Sequence, residues 1–120
     1  MKKRKERARL FDQSPYQCRV EWGLRGAREA AERGDILIVV DVLSFSSAVV
    51  TAHHYGAIIY PHPTHEQAQE YADRMQATPL LGRAEAAARG LPSLSPASFG
   101  PEHRGQKFVL CSINGALCTW

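Results

Sequence analysis

Apolar residues gather into two kinds of pattern along this chain. Residues 36–40 (ILIVV) and 107–111 (KFVLC) are short runs with almost no polar alternation. Runs of that kind are expected of strands buried on both faces, as in parallel sheets. Residues 57–60 (AIIY) repeat the pattern and are closed by Pro61 and Pro63, and residues 78–81 (TPLL) are a further short strand candidate. Residues 16–22 (YQCRVEW) alternate well enough to predict a strand, placed at an edge.

Helical spacing lies between these runs. Leu24, Ala27 and Ala31 share one face of residues 24–33, and Gly34 supplies a stop. Phe45, Ala48, Val49 and Ala52 fall at i, i+3, i+4 and i+7, which predicts a helix over 46–55 ended by Gly56. Thr64 and Gln67 read as a capping box ahead of a stripe of Ala68, Tyr71, Ala72 and Met75. Residues 82–105, rich in Gly, Pro and Ser, read as a long loop with one alanine-rich turn.

The order β-α-β-α-β-α-β-loop-β predicts an α/β fold, a three-layer α/β/α arrangement with a mainly parallel sheet and residues 36–40 as its central strand. The last strand leads through residues 112–115 (SING) toward a helix that begins as the chain reaches Trp120, so the sheet is expected to be incomplete at the C-terminus.

Composition narrows the picture. The chain has 120 residues, enough for one domain with a core of its own. The net charge of +3 is unevenly spread: the first nine residues carry +5, and the rest carry −2. Residues 1–14 therefore read as a basic, solvated N-terminal arm and residues 15–120 as a single α/β domain. With a mildly acidic body and no aromatic residue in the arm before Phe11, nucleic-acid binding is disfavoured. No apolar run approaches the ~20 residues that span a bilayer, which argues against a membrane partner. Cys18, Cys111 and Cys118 are odd in number and form no C-x-x-C pair, which points to a reducing, cytoplasmic setting.

The candidate chemistry sits at strand ends. In parallel α/β sheets, ligands bind just beyond the carboxyl ends of the strands. Asp41 follows the run 36–40, and Ser44, Ser46 and Ser47 stand where the next helix begins. A carboxylate beside free helix N–H groups suits a metal and a phosphate, although the serines also serve as plain helix caps. Asn114 and Gly115 follow the last strand, where Gly lets the backbone approach a ligand closely. Glu85 is a candidate second carboxylate for a divalent ion, though a solvated Glu is an equal reading. His62, His65 and Glu66 lack a third zinc ligand and read as solvated side chains. The phosphate-loop, dinucleotide and nucleophile-elbow motifs are all absent.

Taken in order, these residues resemble the 2-phosphosulfolactate phosphatase family, magnesium-dependent enzymes associated with coenzyme M biosynthesis. The family writes a strand, then Asp-Val-Leu-Arg-Ala-Ser/Thr-Ser/Thr, then a helix reaching Gly-Ala. Asp41, Val42, Leu43, Ser46, Ser47, Gly56 and Ala57 match, and Ser44 and Phe45 replace the Arg-Ala pair, as in one bacterial branch. Gly82 and Glu85 match the family's Gly-Glu loop at altered spacing. Ser95 and Pro96 match its Ser-Pro pair, and Gly105, Lys107, Val109, Leu110, Asn114 and Gly115 match its strand ending in Asn-Gly.

The resemblance implies Mg²⁺-dependent hydrolysis of the phosphate ester of a small, sulfolactate-like 2-hydroxy acid. Asp41 and Asn114 would be catalytic, and Ser44, Ser46, Ser47, Asn114 and Gly115 would bind phosphate. Asp41 and Glu85 would hold the metal, and the assembly would be a homodimer. Ser44 removes an obvious arginine clamp on phosphate. Family members are longer, and their second half adds a Gly-rich turn and a Glu-Asp pair with no counterpart here. The alternative reading is therefore a truncated, non-catalytic member that binds an anionic metabolite or a partner subunit.

Overall fold

The computed structural model describes Gln13 and residues 16–120. The basic arm predicted over 1–14 lies, except for Gln13, outside the described residues.

Three parallel strands form the sheet: β1 (Ile58–His62), β2 (Thr78–Pro79) and β3 (Lys107–Cys111), in the order β1-β3-β2. The register pairs Ile58 with Lys107 through His62 with Cys111, and Thr78 with Phe108. The central strand is thus KFVLC, where residues 36–40 were expected. β3 is the strand of the three without a proline. Ile58 N–H donates to the Gln106 carbonyl and Leu80 N–H to the Val109 carbonyl, so by alternation Pro61 and Pro79 face away from β3. Each outer edge therefore lacks one donor, which is where a sheet tolerates proline.

Helices pack on the sheet through alternate residues of β3. Phe108 and Leu110 join a cluster with Phe45, Ala48 and Ala52 of α2 (Phe45–His54) and with Ala57, Leu80, Phe99 and Ala116. Val109 and Cys111 pack with Ala68 and Ala72 of α3 (Ala68–Met75). The predicted stripe of α2 is therefore the buried one. In α1 (Gly23–Arg33) the buried residues are Gly26 and Ala30, so the face is turned one position from the predicted Leu24–Ala27–Ala31 stripe. Gly34 ends α1 in the left-handed conformation, as expected, with its N–H on the Ala30 and Ala31 carbonyls.

Residues 36–40 do not form a strand. Ile36, Ile38 and Val40 are 96%, 86% and 76% exposed, against 44% for Leu37. The run is apolar enough for a core strand, but both sheet edges carry an outward proline and the middle position is taken by β3. Residues 16–22 also form no strand, and Tyr16, Val20 and Trp22 are exposed.

The capping box at Thr64 is also absent. α3 starts later, with Gln67 at its N-cap and no side-chain cap bond. Thr64 is drawn instead toward the end of β1, where its carbonyl accepts from His62 Nδ1–H at 2.7 Å and from the Cys111 thiol at 3.2 Å. His62, expected to be solvated, is buried.

The predicted loop 82–105 is largely ordered. It contains α4 (Arg83–Arg89) and two short 3-10 turns at Pro96–Ser98 and Pro101–His103. Ser98 Oγ accepts from Ser93 N–H and donates to the Ser95 carbonyl, which ties the first of these turns down. The final helix, α5 (Gly115–Thr119), follows β3 and packs against α1, α2 and β1. No helix among the described residues is long and apolar enough to cross a membrane.

Candidate functional site

The exit of residues 36–40 is held by one serine. Asp41 N–H donates to Ser46 Oγ at 3.1 Å, and that hydroxyl donates to the Val39 carbonyl at 3.2 Å. Ser46 N–H in turn donates to the Asp41 carbonyl at 2.9 Å. These three bonds fix Asp41 against the first turn of α2 without using its carboxylate.

The carboxylate reaches the other end of the chain. Asp41 Oδ2 accepts the Gly115 N–H at 3.1 Å, across 74 residues of sequence. Gly115 opens α5, whose first N–H groups have no helical partner, and a carboxylate there is favourable. Ser112 completes the junction, its Oγ accepting from Gly115 N–H at 3.1 Å and from Asn114 N–H at 3.3 Å. The glycine is sterically required. A Cβ at 115 would enter the Phe45 ring and lie 2.7 Å from the Phe45 Cβ. Phe45, at the start of α2, thus packs directly against Gly115.

Asp41, Ser46 and Gly115 are therefore brought together directly; Asn114 precedes Gly115 in the chain, and Ser44 lies between Asp41 and Ser46. Ser47 Oγ donates to the Val42 carbonyl at 2.9 Å, and Ser44 is the N-cap of α2 without a side-chain cap bond. Among the described residues, no acceptor takes the Phe45 or Ser47 N–H. Glu85 is not joined to this cluster by any hydrogen bond or ion pair. It sits in the first turn of α4, and its carboxylate pairs with Arg89 at 2.7 Å on an exposed surface.

Asp41 is thus the carboxylate this cluster offers to a cation. Among the described residues there is no group of three or more His, Cys, Asp or Glu side chains placed to hold a metal ion. Two surface grooves lie elsewhere: one on α1 between Leu24 and Glu32, the other along β1 beside Val49, His53 and Ile58. Neither is lined by Asp41 or Asn114. The chemistry at the Asp41 junction rests on directed bonds, which a groove on the face of α1 does not offer.

Ser112 went unmarked in the sequence as a site residue. Its signal is a hydroxyl two and three residues ahead of Asn114 and Gly115, the spacing of a side chain that caps a helix start. The pairing of His62 with Cys111 was also unmarked. They are register partners at the carboxyl ends of adjacent strands. Trp120 and Tyr71 stack around His62, with ring centroids 4.9 and 5.1 Å away. Burial pushes the Cys111 thiol up from its ordinary value, so it remains protonated and its hydrogen stays on the Thr64 carbonyl. No family model, curated protein or solved structure matches the chain.

Proposed function

We propose that the chain belongs to the 2-phosphosulfolactate phosphatase type. On this reading it is a Mg²⁺-dependent phosphoric monoester hydrolase for a small phosphorylated 2-hydroxy acid. The observation that supports this best is the Asp41–Gly115 bond. It joins the two motif ends, one after residues 36–40 and one after β3, that the resemblance singles out. The same reading takes α2 and α3 as the outer layers of a three-layer α/β/α unit. The three free thiols fit a reducing, cytoplasmic setting.

In hydrolysis, water adds to phosphorus, the ester P–O bond breaks, and the hydroxy acid leaves carrying a proton. The N–H groups of Phe45 and Ser47, in the first turn of α2, would donate to phosphate oxygens. Ser44 is the N-cap of that helix and Asn114 the N-cap of α5, and their side chains would be candidates for further phosphate contacts. Asp41 has Oδ1 to spare, and a Mg²⁺ ion needs only one or two protein carboxylates when a substrate phosphate and water complete its shell. The ion supplies neutralisation of phosphoryl charge. Ser46 holds the Asp41 backbone, so the carboxylate is positioned before any ligand arrives.

The test is phosphate release from an aryl phosphate and from 2-phospholactate-type esters, with Mg²⁺ and with EDTA. Mg²⁺-dependent turnover that Asp41→Asn abolishes is expected. Turnover that Asp41→Asn leaves intact removes the assignment.

A second reading is a non-catalytic binder of an anionic metabolite. It is favoured by the serine at position 44 and by the lack of a multi-ligand metal group among the described residues. Phosphate binding seen as ³¹P line broadening, with no turnover under any metal condition, selects it.

A further inference from the structure

Two features that the phosphatase reading leaves unused meet near the start of the chain. One is charge. The first nine residues hold six basic side chains against Glu6, while the rest of the chain carries −2. The other is exposed apolar surface. Tyr16, Val20 and Trp22 on one segment, and Ile36, Ile38 and Leu43 on another, turn most of their area to solvent. Exposed apolar surface on this scale marks an interaction site.

Directed bonds join these features. The Gln13 side chain holds Val20 twice: Nε2 donates to the Val20 carbonyl at 2.6 Å, and Oε1 accepts the Val20 N–H at 3.1 Å. Nε2 also donates to the Glu21 carboxylate at 3.0 Å. Gln13 follows the basic run in sequence, so the run leads into the fold beside Tyr16, Val20 and Trp22. Arg19, next to Val20, pairs with Asp35, next to Ile36, at 3.1 Å. The two exposed apolar segments are therefore tied to each other there, and to the charge at Gln13.

This combination selects a lipid surface. Each Lys or Arg near an anionic bilayer adds to the attraction. Trp and Tyr settle at headgroup level, where the ring meets the acyl boundary and its polar atom meets water. Aliphatic side chains such as Ile36, Ile38 and Leu43 gain by shallow entry into that boundary. They offer nothing to a phosphate backbone or to stacked bases, so a nucleic acid would leave them in water. The lack of a run of ~20 apolar residues bears on crossing a bilayer, whereas lying on one needs only shallow apolar burial and charge.

We propose that residues 16–22 and the apolar run beginning at Ile36 seat this chain on an anionic phospholipid surface. The basic residues at positions 2–9 supply the electrostatic attraction. The seating does not depend on Asp41 serving a phosphatase.

Vesicle flotation of the full chain tests this, with phosphatidylcholine vesicles and with equimolar phosphatidylcholine–phosphatidylglycerol vesicles. Binding to the anionic vesicles alone is expected, and it weakens as salt rises. Replacing Lys2, Lys3, Arg4 and Lys5 by Gln is expected to reduce partitioning roughly a hundredfold. Ile36→Ser combined with Ile38→Ser is expected to reduce it roughly tenfold or more. Both positions are exposed, so the fold is kept, and an unchanged far-UV circular dichroism spectrum verifies that. In a Trp120→Phe background, Trp22 emission is expected to shift to the blue on anionic vesicles and to be quenched by lipids with brominated acyl chains. Failure to bind anionic vesicles overturns the proposal, as does equal binding to both compositions. Binding that survives the isoleucine substitutions with Trp22 emission unmoved is charge attraction alone and overturns the apolar seating. Binding to single-stranded RNA in place of the vesicles identifies a nucleic-acid partner and overturns it as well.

Discussion

Residues 36–40 and β3 (Lys107–Cys111) are almost the same kind of sequence and have opposite fates. Phe108, Val109 and Leu110 are essentially inaccessible, whereas Ile36 and Ile38 stand almost wholly in water. Apolar, β-branched composition sets how readily a segment becomes a strand, but not where it finds a partner. β3 has strands on both sides and helices over alternate residues. The earlier run has two proline-bearing edges to choose from and joins neither. One run therefore carries the core, and the other carries the carboxylate of the candidate site and an open surface.

That contrast is easiest to break at the core. Phe108→Ala is expected to cost about 3–5 kcal/mol, the range for emptying a buried aromatic position. Ile38→Ala is expected to stay within about 0.5 kcal/mol. Urea denaturation of both variants makes the comparison, and a similar loss at the two positions would mean that residues 36–40 are part of the core.

The junction between the two regions comes next. Gly115→Ala forces a methyl into Phe45 and is expected to cost about 1–3 kcal/mol by overpacking. Pairing it with Phe45→Leu is expected to recover part of that loss in a double-mutant cycle. Strict additivity would mean that the ring is not what excludes the side chain. Asp41→Ala removes a charge-assisted bond at a partly exposed site and is expected to cost about 1 kcal/mol, read by the same denaturation.

The smallest effect belongs to Asp35, beside the exposed run. The hydrogen bond from Arg33, aided by the charges of Arg33 and Arg19, holds its carboxyl below the usual range. A depressed folded-state pKa contributes stability above the unfolded value of about 3.9, and that contribution is lost as pH falls through the lower folded value. The melting-temperature difference between wild type and Asp35→Asn is therefore expected to be positive near pH 6 and to shrink below about pH 4. The ion pairs are only partly buried, so salt is expected to reduce the difference. A gap that widens on acidification contradicts the pairing.

Local pattern was a good guide wherever local forces decide. The stripe of Phe45, Ala48 and Ala52, the left-handed stop at Gly34 and the strand Lys107–Cys111 all follow from periodicity and glycine chemistry. The pattern failed where the outcome depends on a distant partner. Nothing within residues 36–40 says that β3 will take the middle of the sheet. Nothing at Thr64 says that its carbonyl will be claimed by His62 and by Cys111, 47 residues on. At the site, Gly115 was legible as the exit of a parallel strand, but Asp41 and Ser46 follow a run that forms no strand, and it is the Ser46 and Gly115 bonds that bring Asp41 there. Ser112 was missed because its role is a bond to its own backbone neighbours, which composition does not reveal. Glu85 was chosen for its place in a loop, but that stretch is a helix and its carboxylate turns to Arg89 one turn on.

The hydrogen bond from Gly115 to Asp41 also has a meaning in time. It closes a 74-residue loop, and closure entropy must be met before so distant a contact is rewarded. Helices α1 and α2 need only neighbouring residues to form, and β1 must wait for β3. The carboxylate is therefore expected to meet its amide late, once the strands have assembled. Such late bonds are also sensitive reporters of wholeness. Hydrogen exchange at the Gly115 amide should track opening of the entire sheet rather than fraying of α5, so the candidate site exists only while the whole fold does.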